Sequence, residues 1–178
     1  MPGNDGEDSD AVGAYTQVKL KDMPGYVETW ISLPKQQQPT HWWKIEDPVC
    51  LLELNLYGHP LAGLFWEQHC REKILKAGFV PIKGWECLYA NYDKQLFLSV
   101  YVDDFKMAGK KENMTNMWQE LSKELELDPP SKLVDNIYLG CGQTNVIVPP
   151  AQVEAKRNLL DKLLGQEKER FSPSNRPA

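Results

Sequence analysis

The feature that most constrains this chain is an apolar run, residues 95–102 (QLFLSVYV), that stops on two adjacent carboxylates, Asp103 and Asp104. The run resumes at Phe105 and continues to Gly109. Residues 86–91 (ECLYAN) precede it across a short Asn-Tyr-Asp-Lys turn, so two strands joined by a tight turn are predicted there. Apolar residues occupy both faces of 95–102 apart from Ser99, which predicts a buried, central strand.

The paired carboxylates then need a reason. Like charges this close repel, and each raises the pKa of the other unless a cation sits between them. A chain tolerates that at an exposed turn, where Asp103 and Asp104 merely suit the backbone, or at a metal site. The core-like strand before the pair favours the metal, and hard carboxylate oxygens suit Mg²⁺ or Mn²⁺ better than zinc.

The other elements follow from periodicity and breakers. Residues 26–33 (YVETWISL) alternate as a strand, and VCLLELNLY within 42–57 is strand-like in part. Residues 62–77 read as a helix ended by Gly78, with Trp66, Cys70, Ile74 and Ala77 on one face. A second helix spans 111–127, with Met114, Met117, Trp118, Leu121 and Leu125 inward, before Asp128-Pro129-Pro130 stops it. Short strands at 137–141 and 145–148, joined through Gly142, and an amphipathic helix at 151–164 complete the chain. This order predicts an α+β fold: a split βαβ, ferredoxin-like antiparallel sheet with helices on one face.

Length and charge bound what such a fold can do. The chain has 178 residues, enough for one ordinary domain, and a 42% apolar fraction that can build a core. The acidic residues 1–9 read as a flexible leader and the proline-broken end as a disordered tail. No secretory h-region or membrane-length apolar run is present, so an intracellular location, cytoplasmic or nuclear, is expected. Cys50, Cys70, Cys87 and Cys141 lack paired spacing, and His41, His59 and His69 form no metal motif; reduced structural cysteines are expected. With 20 basic and 25 acidic residues the net charge is −5, which argues against a stand-alone nucleic-acid binder. A nucleic-acid role must then rest on a small site.

Several segments together resemble one family. VYVDDFKMAG (100–109) resembles the VYVDDI-x-x-AG signature of copia-type retrotransposon reverse transcriptases, and LNLYGHPLAGLFW (54–66) resembles their L-x-x-LYGLKQAGRAW segment. LKAGFVPIKGWECLYA (75–90), ELSKELEL (120–127) and IYLGCG (137–142) resemble further blocks in the family's order. The family's third carboxylate lies in a D-x-x-x-A-[FY] pattern, which Asp10, Ala14 and Tyr15 match. The resemblance implies a reverse-transcriptase palm over 10–149, an RNA-directed DNA polymerase using two Mg²⁺ or Mn²⁺ ions. Asp10, Asp103 and Asp104 would be the catalytic metal ligands, with the Ala11 carbonyl adding an oxygen. Tyr15, Leu61 and Gly63 would form the nucleotide site, Tyr15 lying under the incoming sugar. Implied partners are an RNA or DNA template–primer, a dNTP and the remaining polymerase domains, with no membrane.

The departures are also legible. Family Lys-Gln-Ala-Gly is Pro60-Leu61-Ala62-Gly63 here, and Leu61 cannot replace the glutamine's hydrogen bonds. His59 stands where the family has the preceding Leu, and a capped or hydrogen-bond-satisfied histidine is favoured over one that partly compensates for the lost glutamine. Lys106 stands where the family has an apolar residue, facing either a phosphate or solvent. Fingers, full thumb and RNase H are not expected within these residues, so 150–178 is read as a helix and tail of a fragment. The alternative readings are a catalytically inactive relic that keeps the fold as an interaction module, and an unrelated ferredoxin-like module.

Overall fold

A computed structural model describes residues 3–134, 137–138, 140–144 and 146–159. The chain divides into two compact units, Met1–Leu133 and Val134–Ala178. The first unit is α+β, built on a six-stranded sheet with every neighbouring pair antiparallel.

Its strands are β1 (Asn4–Asp10), β4 (Val80–Pro81), β5 (Leu88–Asn91), β6 (Leu96–Tyr101), β7 (Asp104–Lys110) and β8 (Ser131–Lys132), in the spatial order β4-β5-β6-β7-β1-β8. Helix α1 (Ala62–Lys76) lies between β1 and the β6–β7 hairpin in sequence, and α2 (Lys111–Ser122) between β7 and β8. Strands β1 and β6 are therefore parallel, with β7 inserted between them, which is the split βαβ arrangement. A separate ribbon pairs β2 (Trp30–Ser32) with β3 (Val49–Leu51).

Register assigns the two faces of the sheet. Ser9, Phe105 and Val100 align on one face, as do Glu7, Met107 and Leu98. Phe65, Trp66, Cys70 and Ile74 of α1 and Met114, Met117, Trp118 and Leu121 of α2 join Leu96, Leu98, Phe105 and Met107 in one core. Both helices thus cover this face. Each fully buried Leu, Phe or Met contributes about 1.5–3 kcal/mol, so the sheet is held from its helix side. The opposite face carries Asp8, Asp10, Asp104, Lys106, Ser99, Phe97 and Tyr101 by register, and Phe97 and Tyr101 are exposed. Strand β6 is therefore not buried on both sides as its composition predicted. An antiparallel sheet can leave one face open, and here Phe97 and Tyr101 are more than half exposed.

The expected flexible leader is also corrected, because residues 4–10 are strand β1, paired on both edges. Nothing in NDGEDSD predicts a strand by alternation of apolar residues. Specific partners meet its polar side chains instead: the Trp118 indole donates to Glu7 Oε2 at 2.9 Å, Ser9 Oγ to the Asp128 carbonyl at 2.6 Å, and Ser131 Oγ to Asp8 Oδ1 at 2.5 Å. A lysine pairs with Asp5, Lys111 Nζ lying 3.5 Å away.

Helix α1 begins and ends near where its sequence suggests. The His59 ring accepts the Leu61 N–H at Nδ1 (3.2 Å), and Gly78 follows the last turn at φ 88. Helix α2 stops five residues before the expected Leu127. Beyond it the chain runs beside the end of β1, with Val12 N–H donating to Glu126 O and Asp128 N–H to Asp10 O. Those backbone bonds replace the last helical turn. Residues 14–17 form a 3₁₀ turn, and the expected strand at 26–33 shortens to β2.

In the second unit, β9 (Ile137–Tyr138) pairs with β10 (Cys141–Gly142), and residues 150–159 are helical. The strand expected at 145–148 is not formed at 146–148, Asn145 lies outside the described residues, and so does the 160–164 part of the predicted helix. Among the described residues no helix is long and apolar enough to cross a membrane.

Candidate active site

The β6–β7 hairpin closes through a two-residue turn, Val102-Asp103, so that Tyr101 pairs with Asp104. Asp104 in turn pairs with Asp10 on β1. One step further, Ala11 N–H donates to the Asp103 carbonyl at 2.8 Å. Antiparallel pairs alternate between hydrogen-bonded and non-hydrogen-bonded positions, which puts Asp10 and Asp104 in the latter. There facing Cα atoms are closest, about 4.5 Å apart. The sheet brings together two carboxylates that are 94 positions apart in the chain.

Their electrostatics follow from that proximity. Partial burial pushes the Asp104 carboxyl up, and a hydrogen bond to Asp10 and the negative charges of Asp10, Asp103 and Asp8 push it further. Asp104 therefore holds its proton more tightly than a free carboxyl does. Asp103 is exposed in the turn. Asp8, read above as part of a leader, lies two residues from Asp10 on the same face and is only 8% exposed. Its i, i+2 spacing from Asp10 was the signal available in the sequence, masked by the acidic composition around it.

The turn itself is conformationally costly. Val102 has φ 56, a left-handed position that two-residue hairpins usually give to glycine. Its carbonyl accepts a hydrogen bond from the Trp66 indole N–H at 2.7 Å. Trp66 was expected only as a core residue of α1. Asn55, fully buried, is a second residue missed: its Nδ2 donates to the Ala62 carbonyl at 2.9 Å, and its N–H donates to Val18 O. It ties the start of α1 to the segment after β1.

Two cavities meet at the turn. One, of about 520 Å³, is lined by Ala11, Gly13, Tyr15, Tyr57, Val102 and Asp103 among others. The second, of about 480 Å³, runs between α1 and the hairpin past Gly63, Trp66, Cys70, Cys87 and Tyr89. Tyr15, Tyr101 and Val102 line both. The Tyr15 and Tyr57 rings lie 6.0 Å apart. Of the residues expected at a nucleotide site, Tyr15 and Gly63 line these cavities, whereas Leu61 lines neither and is 40% exposed at the start of α1. His59 stacks on Phe65 and accepts the Leu61 N–H, the satisfied histidine that was expected. Lys106 is half-buried on the carboxylate face opposite Asp8.

All four cysteines are free. Burial pushes the Cys70 thiol up to about 12. Among the described residues no three His, Cys, Asp or Glu side chains converge closely enough to enclose an ion by themselves. The donor set at Asp10, Asp103 and Asp104 is all oxygen, which fits a hard divalent ion in kind. Mg²⁺ usually keeps several waters and takes one or two carboxylates plus substrate phosphates rather than a closed protein cage.

No protein-family model matches the chain. Over 105 residues it is 28% identical to the "Putative transposon Ty5-1 protein YCL074W" of Saccharomyces cerevisiae, a match covering 57% of this chain and 32% of that protein. The chain is similar to part of a transposon protein. It spans about a third of the length of that curated relative.

Proposed function

We propose that this chain is a retroelement-derived palm, the carboxylate core of a copia-type RNA-directed DNA polymerase. The single observation that carries the reading is the pairing of Asp10 with Asp104 beside Asp103, on the open face of an otherwise well-packed sheet. The partial likeness to a transposon protein supports it.

In this reading Asp10, Asp103 and Asp104 hold Mg²⁺ or Mn²⁺, with the Ala11 carbonyl as a further oxygen. Bound divalent metal would supply a lowered pKa for an attacking primer hydroxyl and neutralise charge on the transferring phosphoryl group. The protein's own part is positioning. The β1–β7 pairing fixes the separation of two ligands, and the anchored turn directs the third. Tyr15 forms the wall on which the sugar of a dNTP rests, and Gly63 leaves room at the start of α1. An RNA or DNA template–primer lies across the open cavities, held with the remaining polymerase domains, since a chain of net charge −5 grips phosphates poorly by itself.

A second reading, an inactive retroelement relic that keeps the fold as an interaction module, is favoured by one observation. Leu61, standing where the family has a nucleotide-contacting glutamine, faces solvent at the start of α1. Primer extension on an RNA template with Mg²⁺ or Mn²⁺ tests the polymerase reading. Extension by the chain that is lost in Asp103→Ala supports a working site; no extension by either points to a fragment that needs its remaining domains or to the relic.

A further inference from the structure

Trp66 makes a contact that the carboxylate chemistry does not account for. Its side chain is buried, and its Nε1–H donates to the carbonyl of Val102, the residue just before Asp103. Stacking 6.1 Å from His69 and inclusion in the core fix the indole.

Val102 sits at φ 56, where a β-branched residue is a true outlier. Such conformations persist only when their surroundings over-determine them, and they cluster at functional sites. Here both carbonyls of the turn are anchored: Val102 O by Trp66 from α1, and Asp103 O by Ala11 N–H from β1 at 2.8 Å. The net worth of one hydrogen bond and the cost of a left-handed valine are of the same order. One donor can therefore decide which conformation the turn adopts. Tryptophan supplies one donor and no acceptor on a large apolar body, which suits a buried helix face aimed at a single carbonyl.

We infer that Trp66 is a positioning residue whose indole N–H holds Val102 left-handed and thereby sets the direction in which Asp103 leaves the backbone. Without that donor Val102 relaxes toward extended backbone and the Asp103 side chain leaves the turn in another direction. The conformational part of this inference stands by itself. Its consequence for metal binding rests on the reading under Proposed function.

The test uses isotope-labelled full chain carrying Trp66→Phe, Val102→Gly, or both, with the amide resonances of residues 101–104 and the Val102 scalar coupling as readout. Phenylalanine keeps most of the ring volume and removes only the donor, and melting curves check that each variant folds. Trp66→Phe should shift those resonances and take Val102 out of the left-handed region. Adding Val102→Gly should restore the wild-type pattern at Asp103 and Asp104, because glycine holds a positive φ without an anchor. In the metal arm, Trp66→Phe should weaken Mn²⁺ binding roughly tenfold, the factor of one lost hydrogen bond, and the double variant should recover most of it. A Trp66→Phe chain with unchanged resonances and a left-handed Val102 overturns the inference. So does a disturbance that Val102→Gly leaves unrepaired, which assigns Trp66 to packing alone. If wild-type chain shows no Mn²⁺-dependent broadening at Asp10, Asp103 or Asp104, the metal reading fails, while the resonances still decide the role of Trp66.

Discussion

Asp10 on β1 stands directly opposite Asp104 on β7, and burial together with the neighbouring carboxylates pushes the Asp104 carboxyl above its ordinary range. On the same face Lys106 lies opposite Asp8 in register. The arrangement costs stability where both groups ionise, and it is the kind of local conflict that folds retain at functional sites.

Replacing Asp104 with Asn should stabilise the chain at neutral pH. The folded Asp104 carboxyl titrates above its ordinary range, so the folded state binds its proton more tightly than the unfolded state does. Its favourable contribution is complete below the unfolded pKa and is lost as pH rises through the folded one. Relief of a cross-strand like-charge pair is worth about 0.2–1 kcal/mol, or about 1–4 °C in melting temperature for a chain of this size. Melts of Asp104→Asn and wild type should differ at pH 7 and converge near pH 3. A gain that is the same at both pH values would mean that charge is not its source.

Added Mn²⁺ should raise the melting temperature more at pH 8 than at pH 5. A divalent ion at the proposed site competes with the proton that Asp104 holds more tightly than usual, so its binding strengthens with pH. At a hundred times the dissociation constant the stabilisation is about 2.7 kcal/mol. The Asp10→Asn, Asp104→Asn double variant should lose the effect. Equal shifts in variant and wild type would put the ion elsewhere.

Gly109→Ala should damage the sheet rather than the site. Gly109 has φ 143, and a Cβ there would lie 2.1 Å from the Gln95 carbonyl oxygen, a backbone atom that cannot step aside. A loss of about 2–4 kcal/mol is expected in urea denaturation. A fall in the denaturation midpoint too small to measure would show that the β6–β7 hairpin can shift its register there.

Thiol labelling should rank the cysteines by environment. Cys87 is exposed, yet partial burial and the charges of Glu67 and Glu86 raise its pKa, so it should react more slowly than exposed Cys141. Cys70 should stay unlabelled in native protein at pH 8 and react on unfolding. Mass spectrometry of alkylated peptides reads the order directly, and early labelling of Cys70 would show that α1 opens from the core.

What local sequence determined here is what local periodicity can carry. The inner faces of α1 and α2 and the stop at Gly78 follow from spacing within one element, whereas the turn expected at Asp103-Asp104 falls one residue earlier, at Val102-Asp103. The Asp10, Ala14, Tyr15 pattern singled out a residue that does lie beside Asp104, although no periodicity predicted the strand that carries it. Tertiary structure alone decided that 4–10 is a strand, that α2 ends at Ser122, that one face of β6 stays open, and that Trp66 reaches Val102. Each of these depends on partners distant in sequence: β7 and β8 for β1, the end of β1 for residues 126–128, and α1 for the turn. Local spacing records which side of an element is apolar. It does not record which distant backbone donor meets which acceptor, and those hydrogen bonds set the geometry of Asp10, Asp103 and Asp104.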